Sequence, residues 1–537
     1  LGGKDRSVDA KVLTTTNGVA MKVPISGPFV ALQEVISELR RARSAVDLGE
    51  CRPALGGNAP NWNKSWSLVL GHKMEQFSAI KSPDVEAQTS RSLKNRHLQL
   101  MAFGGAIGAG FFLGSGAAIR QAGPALLIAY LLAGCMIYLI MRALGELTLA
   151  YPSPGSFAAY TTRFIGPLAG FITGWSYWLA CLLVGVAEIT GIGLLLHRYY
   201  PNVPQWVPAL CATVMLYAIN MRTVKSFGES EYWLSMIKVI TLIAVLLCGL
   251  DVLIFKIGTV GPHAHIGNLW QHGGILPTGF PGLLTALPLV IFSFGGTEVI
   301  GLAAAETDKP EHTLPRAING VFSRIILFYV GSLAIVMMLY PWNSIDPKDS
   351  PFVLVLKQAG FAAAAEALTF VAISAFFSSS NTALYGSSRI LHALASAGDA
   401  PTRLQALNKR NIPYLSVTLS GAVLMFGVVF NYLIPDEIFG YLLSAVAWIA
   451  LWMWTSIMLS HFSYWRTISK VSHERVSFRL QGAPYTNWIV ILAIGAIALL
   501  IAINGTTRIT FYITASWLVI LVAAYYAKGP RQQALQD

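Results

Sequence analysis

The stretch FGGAIGAGFFLGSG, Phe103 to Gly116, decides how this chain is read. It lies inside the first long apolar run, Leu98 to Ile119, and carries Gly104, Gly105, Gly108, Gly110, Gly114 and Gly116. Each glycine costs a helix about 1 kcal/mol relative to alanine, so a straight span has no local reason for this composition. A span that breaks inside the membrane does, because glycine tolerates the backbone angles of an unwound turn. Opened backbone at membrane depth is tolerated only where protein or a cavity covers it. A second weak point comes much later, in FSFGGTEVIGL, Phe292 to Leu302. One broken span in each half of a chain points to the substrate site of a secondary transporter built from repeated halves.

Composition agrees with a membrane chain. Of 537 residues, 54% are hydrophobic and only 12% charged, with a mean hydropathy of +0.57, whereas soluble domains average about 25% charged. The formal charge of +12 is not read as a nucleic-acid signal, because the basic residues sit in short loops between apolar runs. Cys135, Cys181, Cys211 and Cys248 lie in apolar runs and read as small hydrophobes. Cys51 stands apart near the N-terminus, and no metal-ligand or disulfide spacing is visible. No phosphate loop, metal-binding helix motif or nucleophile elbow is present, so an enzyme is not expected.

Residues 1–90 form a polar extension that is expected to be disordered, with one amphipathic stretch, Val30 to Val46, that suits a helix; Met74 is the expected natural start. From Leu98 onward, twelve apolar segments approach the roughly 20 residues that span hydrocarbon: 98–119, 124–146, 167–196, 205–220, 232–255, 281–303, 322–341, 361–394, 414–433, 436–461, 487–504 and 510–527. The third and eighth are long enough to tilt or to extend past the bilayer. Placing the N-terminus inside puts roughly 20 Lys and Arg residues in inner segments against about six in outer ones, so both termini are expected in the cytoplasm. In the inner loop Glu306 to Ile318, Pro315 followed by Arg316 reads as a helix start.

The chemistry is expected at the breaks. Amides freed at Ile107, Gly108, Ala109 and Gly110 would form an anion site for a carboxylate, aided by the helix dipole. The competing reading is close helix packing through Gly104/Gly108 and Gly110/Gly114. At the second break, Phe292 and Phe294 would wall a pocket, and Gly295 and Gly296 would offer carbonyls to an ammonium group. Glu298 is a carboxylate within an apolar span, hence functional by default; otherwise it bonds neighbouring helices. Lys238 is a lone cation among apolar neighbours, able to give up its proton when buried and to fill the place of a coupling sodium, unless it snorkels to the interface. Glu188, a second membrane carboxylate, would face a substrate amine or pair with a cation. Arg142 and Glu146 read as an interfacial ion pair. Ser378, Ser379, Ser380 and Asn381 would line a cavity or bond their own helix.

The stretches KNRHLQLMAFGGAIGAGFFLGSG, GPALLIAYLLAG, GELTLAYPSPGSFAAY, FGESEYWLSMIKV, NLWQHGGILPTGFPGL, FSFGGTEVIGLAAAETDKPEHTLPRAI and SSSNTALYGSSRILHALASAGDAP follow one another in the order of a known family. From about Leu93 to Tyr526 the chain resembles the bacterial amino acid transporter family of the amino acid–polyamine–organocation superfamily, which includes aromatic, proline-type and 4-aminobutyrate permeases. The resemblance implies an all-α, polytopic, twelve-helix protein with the leucine-transporter fold. Residues 91–255 would be one repeat and 281–461 its inverted copy, with helices 1 and 6 broken; 487–527 would add two helices and 528–537 a cytoplasmic tail. It also implies proton-coupled import of a zwitterionic amino acid across the bacterial inner membrane, with the proton as coupling ion and no cofactor. Gly108 and Gly110 would meet the substrate carboxylate, and the turn through Phe292, Ser293, Phe294, Gly295 and Gly296 its amine and side chain. Lys238 would stand where sodium-coupled relatives bind sodium, and Glu298 matches the family's acidic residue after the second break. Thr297 stands where aromatic permeases tend to carry an aliphatic residue, and suits a smaller or more polar substrate. The alternatives are an amino acid exchanger, a transport-inactive amino acid sensor and a channel. The bilayer is the expected environment, with no nucleic-acid partner; the sequence does not fix an oligomeric state.

Overall fold

The computed structural model describes Val12–Thr14, Ala20–Lys22 and residues 95–528, apart from 105–106, 259–260, 308, 347–349, 359–361, 434–437, 469–476 and 504–507. The chain divides into two units, Leu1–Asp84 and Val85–Asp537. In the first, strands β1 (Val12–Thr14) and β2 (Ala20–Lys22) pair antiparallel, with Val12 opposite Lys22. Val30 to Val46, Cys51 and Met74 lie outside the described residues.

The second unit is helical. A broken first span consists of α1 (Asn95–Gly104), α2 (Ala109–Phe112) and α3 (Gly114–Ala122), followed by α4 (Ala125–Ala150), α5 (Ser156–Phe164), α6 (Pro167–Tyr199), α7 (Trp206–Asn220) and α8 (Val224–Phe255). The same order then recurs. A second broken span, α9 (Gly279–Phe292) and α10 (Val299–Ala303), precedes α11 (Pro310–Arg324), which runs through a π-helical turn at Ile325–Gly331 into α12 (Ser332–Leu339). A short helix, α13 (Pro351–Gln358), a very long one, α14 (Ala362–Ser396), and α15 (Tyr414–Leu433) and α16 (Ile438–Ile468) complete this half. Helices α17 (Tyr485–Ile503) and α18 (Arg508–Ala527) follow. Among the described residues, nine helices are long and apolar enough to cross a membrane, and Trp206–Asn220 and Gly279–Phe292 are shorter apolar helices. The protein is an all-α, multi-pass membrane protein.

Local sequence explains the helix starts. Pro167 opens α6 at the position where the missing N–H costs nothing, and the Thr223 hydroxyl accepts from Ser226 N at 3.2 Å to cap α8. Gly123, at φ +59°, makes the tight corner before α4. The expected start at Pro315 falls instead at Pro310, which opens α11. Pro315 lies inside that helix, in its second turn, where its missing N–H leaves Glu311 O without the i→i−4 bond.

The long helices α6 and α14, of 33 and 35 residues, pack against each other through the centre, and α6 also lies along α16. The core around them holds Trp454, Tyr130, Tyr160, Tyr177, Tyr385 and Phe376, all fully buried. Large apolar side chains left exposed, among them Trp233, Leu247, Phe255, Leu492 and Val519, suit contact with lipid. Helices α17 and α18 are the least buried of the apolar spans.

A buried ion pair ties the turn just after α10 to α14. Arg389 Nε donates to Glu306 Oε1 at 2.9 Å, and Tyr385 OH donates to the other carboxylate oxygen. The guanidinium lies over the Tyr385 ring at 4.5 Å, and Phe227 of α8 stacks on that ring at 4.2 Å. Removing one member leaves a buried charge uncompensated. Glu306→Ala is therefore expected to destabilise the protein by about 3–5 kcal/mol, and pairing it with Arg389→Met to recover much of the loss. Thermal melting of the purified protein in detergent measures this; equal midpoints for wild type and Glu306→Ala would contradict it.

Candidate functional site

The two breaks meet. At the first, α1 stops at Gly104 and α2 begins at Ala109, with Gly108 extended at φ −133°, ψ −152°. At the second, α9 ends at Phe292, and Ser293 to Glu298 turn the chain before α10, with Gly296 at φ +91°. A Cβ on Gly110 would overlap the Phe292 ring, so the breaks touch, and only glycine allows the approach. Small-residue packing and backbone opening, opposed as readings of the sequence, both occur in this stretch.

The amide freed by the first break is already taken. Ala109 N donates to Glu188 Oε2 at 2.8 Å, and Ser379 Oγ of α14 donates to Glu188 Oε1 at 3.0 Å. A Cβ on Gly108 would overlap that carboxylate. Thus Ile107, Gly108, Ala109 and Gly110, all buried, form a cradle occupied by a side chain from α6. Lys238 of α8 is fully buried and does not reach an interface. Its charge is felt by Glu188 and by a further buried carboxylate, Glu231.

Glu231 was not singled out by the sequence reading. It accepts from Ser378 Oγ at 2.5 Å, Ser235 Oγ at 3.2 Å and Asn381 Nδ2 at 3.4 Å, and Asn220 Nδ2 in turn donates to Asn381 Oδ1 at 2.8 Å. The neighbouring serines Ser378 and Ser379 therefore serve two different carboxylates. A signal was available: in FGESEYWLSMIKV, Glu231, Ser235 and Lys238 follow at i, i+4 and i+7, which is one helix face.

At the second break Glu298 is buried; Gly296 N donates to it at 3.2 Å and the Thr297 hydroxyl at 3.5 Å. The Thr297 hydroxyl also reaches Phe294 O at 3.0 Å. Ser293 Oγ shares a 3.0 Å hydrogen bond with Tyr130 OH, and Tyr329 OH donates to Ser293 O at 2.8 Å. These two tyrosines and Phe294 form an aromatic cluster with ring centroids 5.2–5.9 Å apart. Tyr130 and Tyr329 were invisible as site residues because each sits in an ordinary apolar run. Gly295, Gly296, Glu298, Ser379, Tyr177 and Cys181 border a cavity of about 20 Å³, room for about one water.

The expected Arg142–Glu146 pair does not form. Glu146 Oε2 shares a 2.9 Å hydrogen bond with His461 Nε2 and accepts from Leu480 N at 2.7 Å. Arg142 Nε donates to Arg479 O at 3.0 Å, and its guanidinium lies 4.5 Å over the Phe478 ring. The segment 478–480 supplies a partner to each side chain, an acceptor for Arg142 and a donor for Glu146.

Glycine at 108 is set by the carboxylate beside it. Gly108→Ala is expected to lower stability by about 1–3 kcal/mol through overpacking, and Gly108→Ala with Glu188→Ala to lose less than the sum of the single changes. Melting curves of the three variants check this; strict additivity would separate the two residues.

Comparison with known proteins adds the ancestry. The profile of the amino acid permease family matches residues 97–534. The chain is 38% identical over 448 residues to the amino-acid permease AapA of Bacillus subtilis (strain 168), covering 83% of this chain and 96% of that one. It is 39% identical over 449 residues to the aromatic amino acid transport protein AroP of Escherichia coli (strain K12), covering 84% and 98%. To AroP of Salmonella typhimurium (strain SL1344) it is 40% identical over 441 residues, covering 82% and 96%. With a profile match across most of its length and relatives this similar end to end, the chain belongs to the amino acid permease family.

Proposed function

We propose that this permease is a proton-coupled symporter that imports a zwitterionic amino acid across the bacterial inner membrane by alternating access, with both termini in the cytoplasm. The observation that carries the reading is the Glu188 carboxylate on the Ala109 amide, within electrostatic reach of the buried Lys238. A substrate carboxylate suits that same amide. Its arrival displaces Glu188, and a displaced carboxylate beside a buried ammonium must change its charge or its partner. Substrate binding and proton binding are thereby linked at one atom.

In this reading Ile107, Gly108, Ala109 and Gly110 receive the substrate carboxylate. Phe292, Ser293, Phe294, Gly295, Gly296 and Thr297 receive its amine and side chain, with Ser378 and Ser379 on the wall. Lys238, Glu188 and Glu298 handle the proton. Loss of the Glu188–Ala109 bond and parting of the Gly110–Phe292 contact open the cavity. Two of the relatives described above are named for aromatic amino acids, so these substrates belong in any test.

The test is uptake of aromatic, small neutral, proline, asparagine and 4-aminobutyrate substrates into proteoliposomes, with and without an inward proton gradient. One class is expected to accumulate only with the gradient. Lys238→Met is expected to reduce that accumulation by roughly tenfold or more while substrate binding persists. Flux that ignores the gradient and requires amino acid on the far side would make the protein an exchanger.

A further inference from the structure

A second cavity, of about 240 Å³, lies between the end of α6, the short helix α13 and the start of α14. It is smaller than the roughly 300–1,000 Å³ of drug-sized sites. Ser350, just before α13, and Val353, Leu354 and Lys357 within it border this cavity. They follow at i, i+3, i+4 and i+7, which is one helix face. Arg198 and Tyr199 of α6 and Glu366 and Thr369 of α14 close the other sides. Leu195, also on the wall, comes two turns after Glu188, about 10 Å along α6, so this cavity is separate from the one at the breaks. Phe352, off the cavity face of α13, packs against Phe111 and Phe112 of α2, with ring centroids 4.8 and 5.7 Å away. Helix α13 thus meets the first break on one side and this cavity on another.

Both signs of charge border the cavity. Lys357 and Glu366 are exposed, and no ion pair joins them to each other. Arg198, also exposed, adds a second cation. Thr369 Oγ1 donates to Ala365 O at 3.3 Å, so its 2.9 Å bond with Tyr199 OH is one that it accepts. The Tyr199 oxygen therefore keeps lone pairs for another donor. Ser350 is only 6% exposed, and its hydroxyl has no partner among the described residues. Solvated surface charge accounts for Lys357 and Glu366 taken singly. It does not account for a buried hydroxyl without a partner at the same cavity, which calls for a ligand or a water.

We propose that this cavity binds a free amino acid as its zwitterion, in addition to any held at the breaks. The carboxylate lies toward Lys357 and Arg198, and the ammonium toward Glu366 and Tyr199. The side chain runs along Val353 and Leu354 toward Ser350, a course of about 10 Å along α13. Charge-assisted hydrogen bonds at both polar groups give the selectivity, because a ligand with one charge leaves the opposite charge of the protein without its counterpart. The exposed positions of Arg198, Lys357 and Glu366 make this site reachable without parting the broken helices. The inference does not rest on proton coupling.

The experiment is equilibrium binding to the purified full chain in detergent, with tritiated L-alanine, L-proline and L-phenylalanine as probes. At least one probe is expected to saturate at two molecules per chain in the wild type. Lys357→Gln and Glu366→Gln change exposed positions, where substitution costs little stability. Each is expected to leave one bound molecule, its affinity altered by less than about twofold. Arg198→Gln is expected to weaken the other molecule by roughly tenfold. Leu354→Trp, which fills the cavity without changing a charge, is expected to act like Glu366→Gln. Propionate and ethylamine each carry one of alanine's two charges, and neither is expected to displace the molecule that Glu366→Gln removes. One molecule per chain for every probe in the wild type, or two in Glu366→Gln, would overturn the site. Displacement by propionate alone or by ethylamine alone would make the cavity a single-ion site and overturn the zwitterion.

Discussion

A backbone amide opened inside a hydrophobic slab must find an acceptor, and here it finds the Glu188 carboxylate. That one hydrogen bond constrains much around it. Position 108 must lack a side chain, because the carboxylate fills the space. Position 379 must donate to the second carboxylate oxygen. A buried carboxylate calls for a nearby positive charge, which Lys238 supplies. The lysine draws in Glu231, and Glu231 draws in Ser378, Ser235 and Asn381. Much of the polar chemistry at the centre of this apolar protein follows from the loss of one turn of helix.

The fold was legible where a single residue type dominates a short stretch. Clustered glycines located the first break, and the Gly295–Gly296 pair located the second, because glycine both weakens a helix and adopts the backbone angles of an unwound turn. Helix lengths followed from apolar runs; the two longest, α6 and α14, stood out for that reason. The turn before α11 was read one step late, since Pro310 and Pro315 are both compatible with a helix start and only the geometry of the loop chooses between them.

The site was only partly legible. Glu188, Lys238 and Glu298 announced themselves as charges among apolar neighbours. Glu231 did not, because it lies near the polar start of α8, beside Glu229 and Ser230, and passes for part of a solvated end. Arg142 and Glu146 were misread for the opposite reason: correct spacing on one helix suggested a pair, while the partners that won, Arg479 O and His461, come from more than 300 residues away. Spacing reports what one helix can do for itself, and carries nothing about which remote backbone arrives beside it.

The contact of Gly110 with the Phe292 ring has a mechanical meaning. Two hinges placed one in each half of a chain could in principle swing separately, and a gate built that way would leak whenever both stood open. Here the break of one half is wedged against the break of the other, with the Phe292 ring as the only cushion between the two backbones. Neither can rotate far without pushing its counterpart, as with two meshed gear teeth. The play in such a gear is set by a single glycine hydrogen, so a methyl group at position 110 would change how faithfully one half answers the other.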